Sequence, residues 1–236
     1  MRGKANIAVI IPAFNEEKAI KKVISLIPAW IDDCIVVDNG STDKTAAVAQ
    51  ANGARVVFES RRGYGSVCLS GIQALQKPDL VVFLDGDCSD VPEEMDLLID
   101  PILNGEADFV MGSRTLGVRE PGALTPQARL GNWLACLLMK WFWGANYTDL
   151  GPFRAISFLS LKELGMVSRD YGWTVEMQIK AAQNKLRSLE VPVRYRRRIG
   201  SSKISGTWSG AIFAGTKILI TIFTLAMAQP RKKREK

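Results

Sequence analysis

Two aspartates one residue apart, in Asp85-Gly-Asp87, follow directly on the uncharged apolar run Leu80-Val-Val-Phe-Leu84. A carboxylate pair this close can share one hard cation, and Mg2+ or Mn2+ takes such oxygen ligands while completing its octahedron with substrate phosphates and water. A metal-bound diphosphate is the chemistry that this spacing suggests. A second polar turn, Asp38-Asn-Gly-Ser-Thr-Asp43, ends another apolar strand, Ile35-Val-Val37. Asp38 is placed there to accept a hydrogen bond from a nucleobase N–H, whereas Ser41 and Thr42 read as caps of the next helix. The chain of 236 residues contains no histidine, which excludes an imidazole zinc site, a Ser-His-Asp triad and a histidine base.

These turns need a scaffold that brings them to one edge. Ile7-Ala-Val-Ile-Ile11 is a continuous apolar run, and the segment from Glu16 to Ile27 then carries Ile20, Val23, Ile24 and Ile27 at helical spacing. Ile35–Val37, Arg55–Phe58 and Leu80–Leu84 are three further strands, with helices predicted over Lys44–Asn52 and Tyr64–Leu75. Strands that alternate with helices and are apolar throughout predict a parallel sheet covered on both faces. In such folds ligands bind beyond the carboxyl ends of the strands, where both acidic turns lie. The second half is less regular. Phe109–Gly112 and Leu189–Val193 read as strands, Gly151–Phe153 as a re-entry into the sheet, and Arg129–Phe142 and Trp173–Gln183 as helices.

Composition narrows the class. Hydrophobic residues make up 47% and charged residues 23%, so disorder, coiled coil and fibrous repeats do not fit. The net charge is +7, but Arg231 to Lys236 supply five bases and one acid, which leaves only +3 for the body. That distribution argues against a nucleic-acid groove. The run Arg194, Arg196, Arg197, Arg198 and Lys203 reads instead as a local anion site. Cys34, Cys68, Cys88 and Cys136 form no C-x-x-C pair and read as reduced core residues. With no signal-peptide pattern before the first strand, a cytoplasmic setting is expected.

Taken in order, Pro12-Ala-Phe-Asn-Glu16, Val37-Asp-Asn-Gly-Ser41 and Asp85-Gly-Asp87 resemble the nucleotide-sugar half of the family 2 glycosyltransferases, which have the GT-A fold. Gly112-Ser-Arg114, Arg129, the segment Asp149 to Arg154, Glu176-Met177, Val191-Pro192 and Arg198 with Ser202-Lys203 resemble the branch that transfers mannose to polyprenyl (dolichyl) phosphate. The resemblance covers about residues 5 to 206. It implies a Rossmann-like, mostly parallel α/β sheet, a UDP- or GDP-hexose donor, a lipid phosphate acceptor and a divalent cation. It further implies that Pro12, Phe14, Glu16 and Asp38 hold the nucleoside. Asp85, Gly86 and Asp87 would hold metal and diphosphate, with Arg114, Arg129, Arg198, Ser202 and Lys203 around the phosphate groups. Asn39 stands where the branch often has a second acid, and Ser89 where it often has a metal-side Gln.

Displacing a nucleoside diphosphate from an anomeric carbon builds charge on the leaving phosphates, which a metal and cations such as Arg114 stabilise, and in-line attack inverts the centre. A phosphate monoester acceptor needs little proton removal, so the absence of histidine is no obstacle. A hydroxyl acceptor needs a base, and Asp149 and Glu176 are the candidates. The alternatives are a sugar nucleotidyltransferase and a non-catalytic nucleotide-sugar-binding module.

Residues 1–206 are therefore expected to form the catalytic domain, 207–228 an apolar helix and 229–236 a basic tail. The helix has one charge, Lys217, and at about 33 Å it could just span a bilayer. A lysine near the midplane would cost about 2.5–3.5 kcal/mol on insertion scales. Helical spacing puts Trp208, Ile212, Leu219, Ile222 and Ala226 on one face and Gly210, Lys217, Thr221 and Thr224 opposite. An interfacial helix on anionic lipids is the expectation, making the protein peripheral on the membrane surface. Trp133, Trp141, Phe142 and Trp143 are candidates for a second membrane-facing patch.

Overall fold

The computed structural model describes residues 5–200 and 208–228, and Ser202 and Lys203 lie outside the described residues. Strands β1 (Ile7–Ala13), β2 (Asp33–Asp38), β3 (Arg55–Phe58), β4 (Leu80–Phe83), β5 (Phe109–Ser113), β6 (Arg154–Ser157) and β7 (Ser188–Pro192) form one sheet in the order β3-β2-β1-β4-β6-β5-β7. The β3-β2-β1-β4 block is parallel, as is the β5–β7 pair. β6 runs antiparallel to both β4 and β5, so it joins the two blocks. The re-entry strand begins at Arg154, just past the Gly151–Phe153 expected from sequence.

Side-chain alternation splits the core between the two faces of the sheet. Ile7, Val9 and Ile11 of β1 and Val82 of β4 pack with α1 (Ile20–Leu26) and α4 (Met95–Leu103). Ile10, Val81 and Phe83 face α3 (Tyr64–Gln73), α6 (Phe158–Leu164) and α7 (Trp173–Gln183), with Trp173 wholly buried among them. The short α2 (Thr45–Ala51) follows β2.

A third cluster lies outside the sheet, between α5 (Pro126–Trp143), α7 and the C-terminal α8 (Trp208–Ala228). Thr125 caps α5 by accepting from the Ala128 N–H at 3.3 Å, Pro126 occupies its first turn, and Gly144 ends it in the left-handed region at φ 69°. In α8, Ile222 is fully buried against α5 and α7, with Ile218 and Leu225 partly so. The polar side of α8 also faces the domain. Lys217 pairs with Asp170 at 3.0 Å, and the Thr221 side chain lies against Gly172.

The outward side is apolar, with Ile212, Phe213, Ile220, Phe223 and Met227 exposed. This corrects the faces expected from helical spacing. Ile212 points out and Ile222 in, and Lys217 and Thr221 turn inward because the loop before α7 supplies their partners. Trp133 (59% exposed) and Trp141 (77% exposed) continue the apolar surface on α5, where Phe142 packs edge-on against Phe223 at 5.9 Å. Among the described residues no helix is long and apolar enough to cross a membrane.

Candidate active site

β4 delivers Leu84 to Asp90 to the carboxyl edge of the sheet. Gly86 lies so near β1 that a Cβ there would come within 3.2 Å of the Pro12 carbonyl oxygen. That close approach seats Asp85 and Asp87 at the floor of a cavity of about 280 Å3, with Pro12, Phe14 and Glu16 along one wall. Loss of solvation, then the neighbouring Asp87, pushes the Asp85 carboxyl up to about 7.

Asp90 is a third acid of this turn, which sequence reasoning missed although it lies only three residues past Asp87. Its Oδ2 accepts the Asp85 N–H at 3.1 Å, while its buried Oδ1 has no partner. Burial, followed by the charge of Asp85, drives its pKa far above the ordinary value. Three acids crowded together with one oxygen unmet make an all-oxygen, electron-rich site of the kind that suits Mg2+ or Mn2+. Among the described residues no group of three or more acidic, Cys or His side chains encloses a metal by itself. A cation at Asp85 and Asp87 would thus take its remaining ligands from phosphate and water.

Arg198 faces this charge, its Nη2 lying 2.9 Å from Asp87 Oδ2. The Arg196 and Ile199 N–H groups donate to the Ser89 and Asp87 carbonyls at 2.8 and 2.9 Å, so the basic segment is laced to the acidic turn. Arg194 and Arg196 turn away to Glu94 and Glu93.

The second acidic turn works differently from its reading in sequence. The Asp38 carboxylate accepts the Ser41 N–H at 3.1 Å and the Ser41 hydroxyl, so it closes its own turn. Asn39 reaches the cavity wall in its place. The Asn39 amide donates to the Glu59 and Arg61 carbonyls at 2.9 Å each and accepts from the Gly63 N–H at 3.1 Å. A carboxylate could not make those two donations. Ser41 accepts the Asn15 N–H at 2.9 Å and Asn15 accepts the Thr42 N–H at 2.8 Å, so these residues fasten the Phe14–Glu16 loop rather than cap α2. Arg62 covers the Phe14 ring at 3.8 Å.

The acids and arginines of the second half are largely spent on each other. Arg114 donates to Asp149 through its backbone N–H, Nε and Nη2 at 2.7, 2.8 and 2.7 Å, and Asp149 also accepts the Leu150 N–H at 2.8 Å. Burial raises the Asp149 carboxyl, but Arg114 and these donors outweigh it and hold it below the usual range. So engaged, Asp149 has no free lone pair for an acceptor's proton, and it acts on Arg114 instead. Glu176 is likewise occupied, by the Val167 and Ser168 N–H groups at 3.0 and 2.7 Å and by Lys180 at 2.8 Å. It fastens the loop before α7 and does not line the cavity. Arg154 is wholly buried, donating to the Gly151 and Thr174 carbonyls at 3.1 and 3.0 Å.

Arg129 lies apart from the acids. It lines a separate groove of about 550 Å3 with Arg119, Leu130 and Trp133, bordered by Thr115 and Thr148 next to the Arg114–Asp149 pair.

The profile of a known family, Glycosyl transferase family 2, matches residues 8–165. An uncharacterized glycosyltransferase of Mycobacterium tuberculosis is 36% identical over 221 residues, covering 91% of this chain and 96% of that protein. A dolichyl-phosphate hexose transferase of Haloferax volcanii is 30% identical over 217 residues, covering 87% of this chain and 90% of that one. Among solved structures, glucosyl-3-phosphoglycerate synthase from Mycobacterium tuberculosis, with Mn2+, UDP-glucose and phosphoglyceric acid, superposes with a TM-score of 0.77 at 24% identity. That match covers 98% of this chain and 83% of the synthase. With motif order, sheet topology and relatedness in agreement, this chain belongs to glycosyl transferase family 2 and is a hexosyltransferase.

Proposed function

We propose that the protein is an inverting, Mg2+- or Mn2+-dependent transferase that moves a hexose from a nucleoside diphosphate sugar to a polyprenyl phosphate at a membrane surface. The observation that carries this reading is the cavity itself, in which Asp85 and Asp87 face Arg198 beside the Pro12–Glu16 wall. A bound divalent cation would neutralise the diphosphate's developing charge. Phe14 and Asn39 line the space for the nucleoside, and Arg198, once its hold on Asp87 is relaxed, offers a fork to phosphate oxygens. Arg114, aimed by Asp149 and lying over the Tyr195 ring at 5.0 Å, is a second fixed cation near the acids. A phosphate monoester acceptor attacks as an anion, so the occupied state of Asp149 and Glu176 is compatible with turnover.

The lipid half of the reading rests on the apolar band. Ile220, Phe223 and Met227 on α8 and Trp133 and Trp141 on α5 present bare hydrocarbon beside a groove that carries Arg119 and Arg129. Exposed apolar surface with cations next to it suits a bilayer holding anionic headgroups. The dolichyl-phosphate relative supports the same acceptor class.

The test is transfer from UDP-glucose and GDP-mannose, with Mn2+, to polyprenyl phosphate in vesicles and to 3-phosphoglycerate in solution. Glycolipid formation with release of nucleoside diphosphate is expected. Transfer to the soluble phosphate alone would remove the lipid acceptor, and release of pyrophosphate would make the protein a nucleotidyltransferase.

A further inference from the structure

α8 has an unusual allocation of side chains. Its outer face is hydrocarbon, and its one charge, Lys217, is turned inward to a single loop, residues 168–172. Three contacts join helix and loop. Lys217 Nζ lies 3.0 Å from Asp170 Oδ2, Phe213 meets Tyr171 edge-on at 6.1 Å and 88°, and Thr221 is packed so tightly on Gly172 that a Cβ there would lie 2.1 Å from its hydroxyl oxygen.

The same loop is a wall of the donor cavity, because Tyr171 lines it together with Phe14, Asp87 and Arg198. On that inner side the loop is stitched to the start of α3, where the Gly65 and Ser66 N–H groups donate to the Asp170 and Arg169 carbonyls at 3.2 and 3.0 Å. Gly63 and Gly65 permit the approach, since a Cβ on either would lie 2.1 Å from a loop carbonyl oxygen. Tyr171 is thus held between two supports. Its backbone neighbours are fixed from the α3 side and its ring from the α8 side.

We infer that α8 is part of the donor site: Phe213 and Lys217 are positioning residues that hold Tyr171 against the bound nucleotide sugar, so donor affinity depends on how α8 is docked. The inference rests on the donor reading of the cavity. A ring contact of this type is worth about 0.5–1.5 kcal/mol, which sets the scale at about two- to tenfold in Kd.

The experiment titrates the full-length protein, in mild detergent with Mn2+, with UDP-glucose and then GDP-mannose. Mn2+ binding is measured separately, and hydrogen exchange is followed at residues 168–172. Tyr171→Ala, Phe213→Ala and Lys217→Met are expected to weaken the donor by about two- to tenfold without changing Mn2+ affinity. Both α8 variants should speed exchange in the loop. Lys217→Arg, which keeps the ion pair, should restore donor affinity. Thr216→Ala, whose hydroxyl bonds only back to the Ile212 carbonyl among the contacts described for it, should leave it unchanged.

Wild-type donor affinity in Phe213→Ala and Lys217→Met, with Tyr171→Ala weakened, would overturn the role of α8. Unchanged affinity in Tyr171→Ala would overturn the whole inference. Failure of the wild-type protein to bind either nucleotide sugar would overturn the donor reading first and this inference with it.

Discussion

The two halves of the sheet handle their charged residues in opposite ways. At the end of β4, Asp85, Asp87 and Asp90 crowd one turn that leaves a buried oxygen unpartnered, with Arg198 set against one of the three. In the half that begins with β5, the acids marked by sequence are bound on every side, Asp149 by Arg114 and backbone N–H groups, Glu176 by Lys180 and two more. A frustrated cluster of like charges is costly to fold and is explained by a ligand that relieves it. A satisfied pair explains itself. The contrast separates residues that meet substrate from those that hold them in place, a distinction that residue type alone does not make.

The largest effect is expected at Asp87→Asn or Asp85→Asn, which should cut transfer by about a hundredfold or more and weaken Mn2+ binding. Asp85→Asn removes one of the crowded carboxyls and leaves the Asp87–Arg198 pair in place, so that variant should melt no lower than wild type in the metal-free protein. Initial rates of nucleoside diphosphate release and calorimetric melting check both.

Asp149→Asn comes next. It strands the Arg114 charge in a buried site, and breaking such a pair costs about 3–5 kcal/mol. The double substitution Arg114→Met with Asp149→Leu should recover much of that stability in denaturant melts but not the transfer rate. Recovery of both would show that the pair only holds the fold.

A third effect appears in pH. With its pKa raised to about 7, Asp85 keeps a proton in the folded state that the unfolded chain releases near its ordinary value of about 3.9. The folded protein therefore binds more protons across that window, and metal-free stability should fall as pH rises from about 4 to about 7. Asp90, shifted the same way by burial and then by the charge of Asp85, adds to the fall. Mn2+ with a nucleoside diphosphate should flatten the slope, and so should Asp85→Asn. Thermal melts in EDTA and in Mn2+ at a series of pH values measure it.

Glu176→Gln is a milder break in the satisfied half. It leaves the loop N–H groups with a weaker acceptor and removes the Lys180 pair, at about 1–3 kcal/mol, with a modest rise in donor KM.

The smallest change in stability, about 0.5–1.5 kcal/mol at most, is expected for Trp133→Ser and Trp141→Ser, since both rings are largely exposed and Trp141 gives up only its stacking on Phe142 at 5.3 Å. Binding to anionic vesicles should nevertheless drop, as cosedimentation would report.

What could be read from sequence follows the same division. β1 and β4 are uniformly apolar and stop at polar turns, so both the strands and Asp85-Gly-Asp87 stood out. α4 did not, because Pro101 sits inside it, and seven-residue α6 is too short to show a period. Asn39 stands where an acid is expected, and its use depends on carbonyls at Glu59 and Arg61, remote in the chain, in the loop leading to α3. Asp149 stood beside phosphate-binding arginines in the motif, and only the three-dimensional bonds show that Arg114 consumes it. The faces of α8 were misread because a helix apolar on most sides has little periodicity, and its orientation is decided by Asp170 and Gly172.

The two seams that complete the cavity join segments remote in the chain. Gly65 and Ser66 bond to residues 169 and 170, and Asp87 and Ser89 bond to residues 196 and 199. Each closes a loop of over a hundred residues, and both partners lie beyond position 165, where the family profile ends. Contacts of such long separation come late and slowly in folding. During synthesis, the motif-bearing strands emerge from the ribosome long before the segments that wall the site. A nascent chain stopped at residue 165 would carry every signature motif of the donor half and still have no closed pocket, so binding competence arrives only with the last third of the polypeptide.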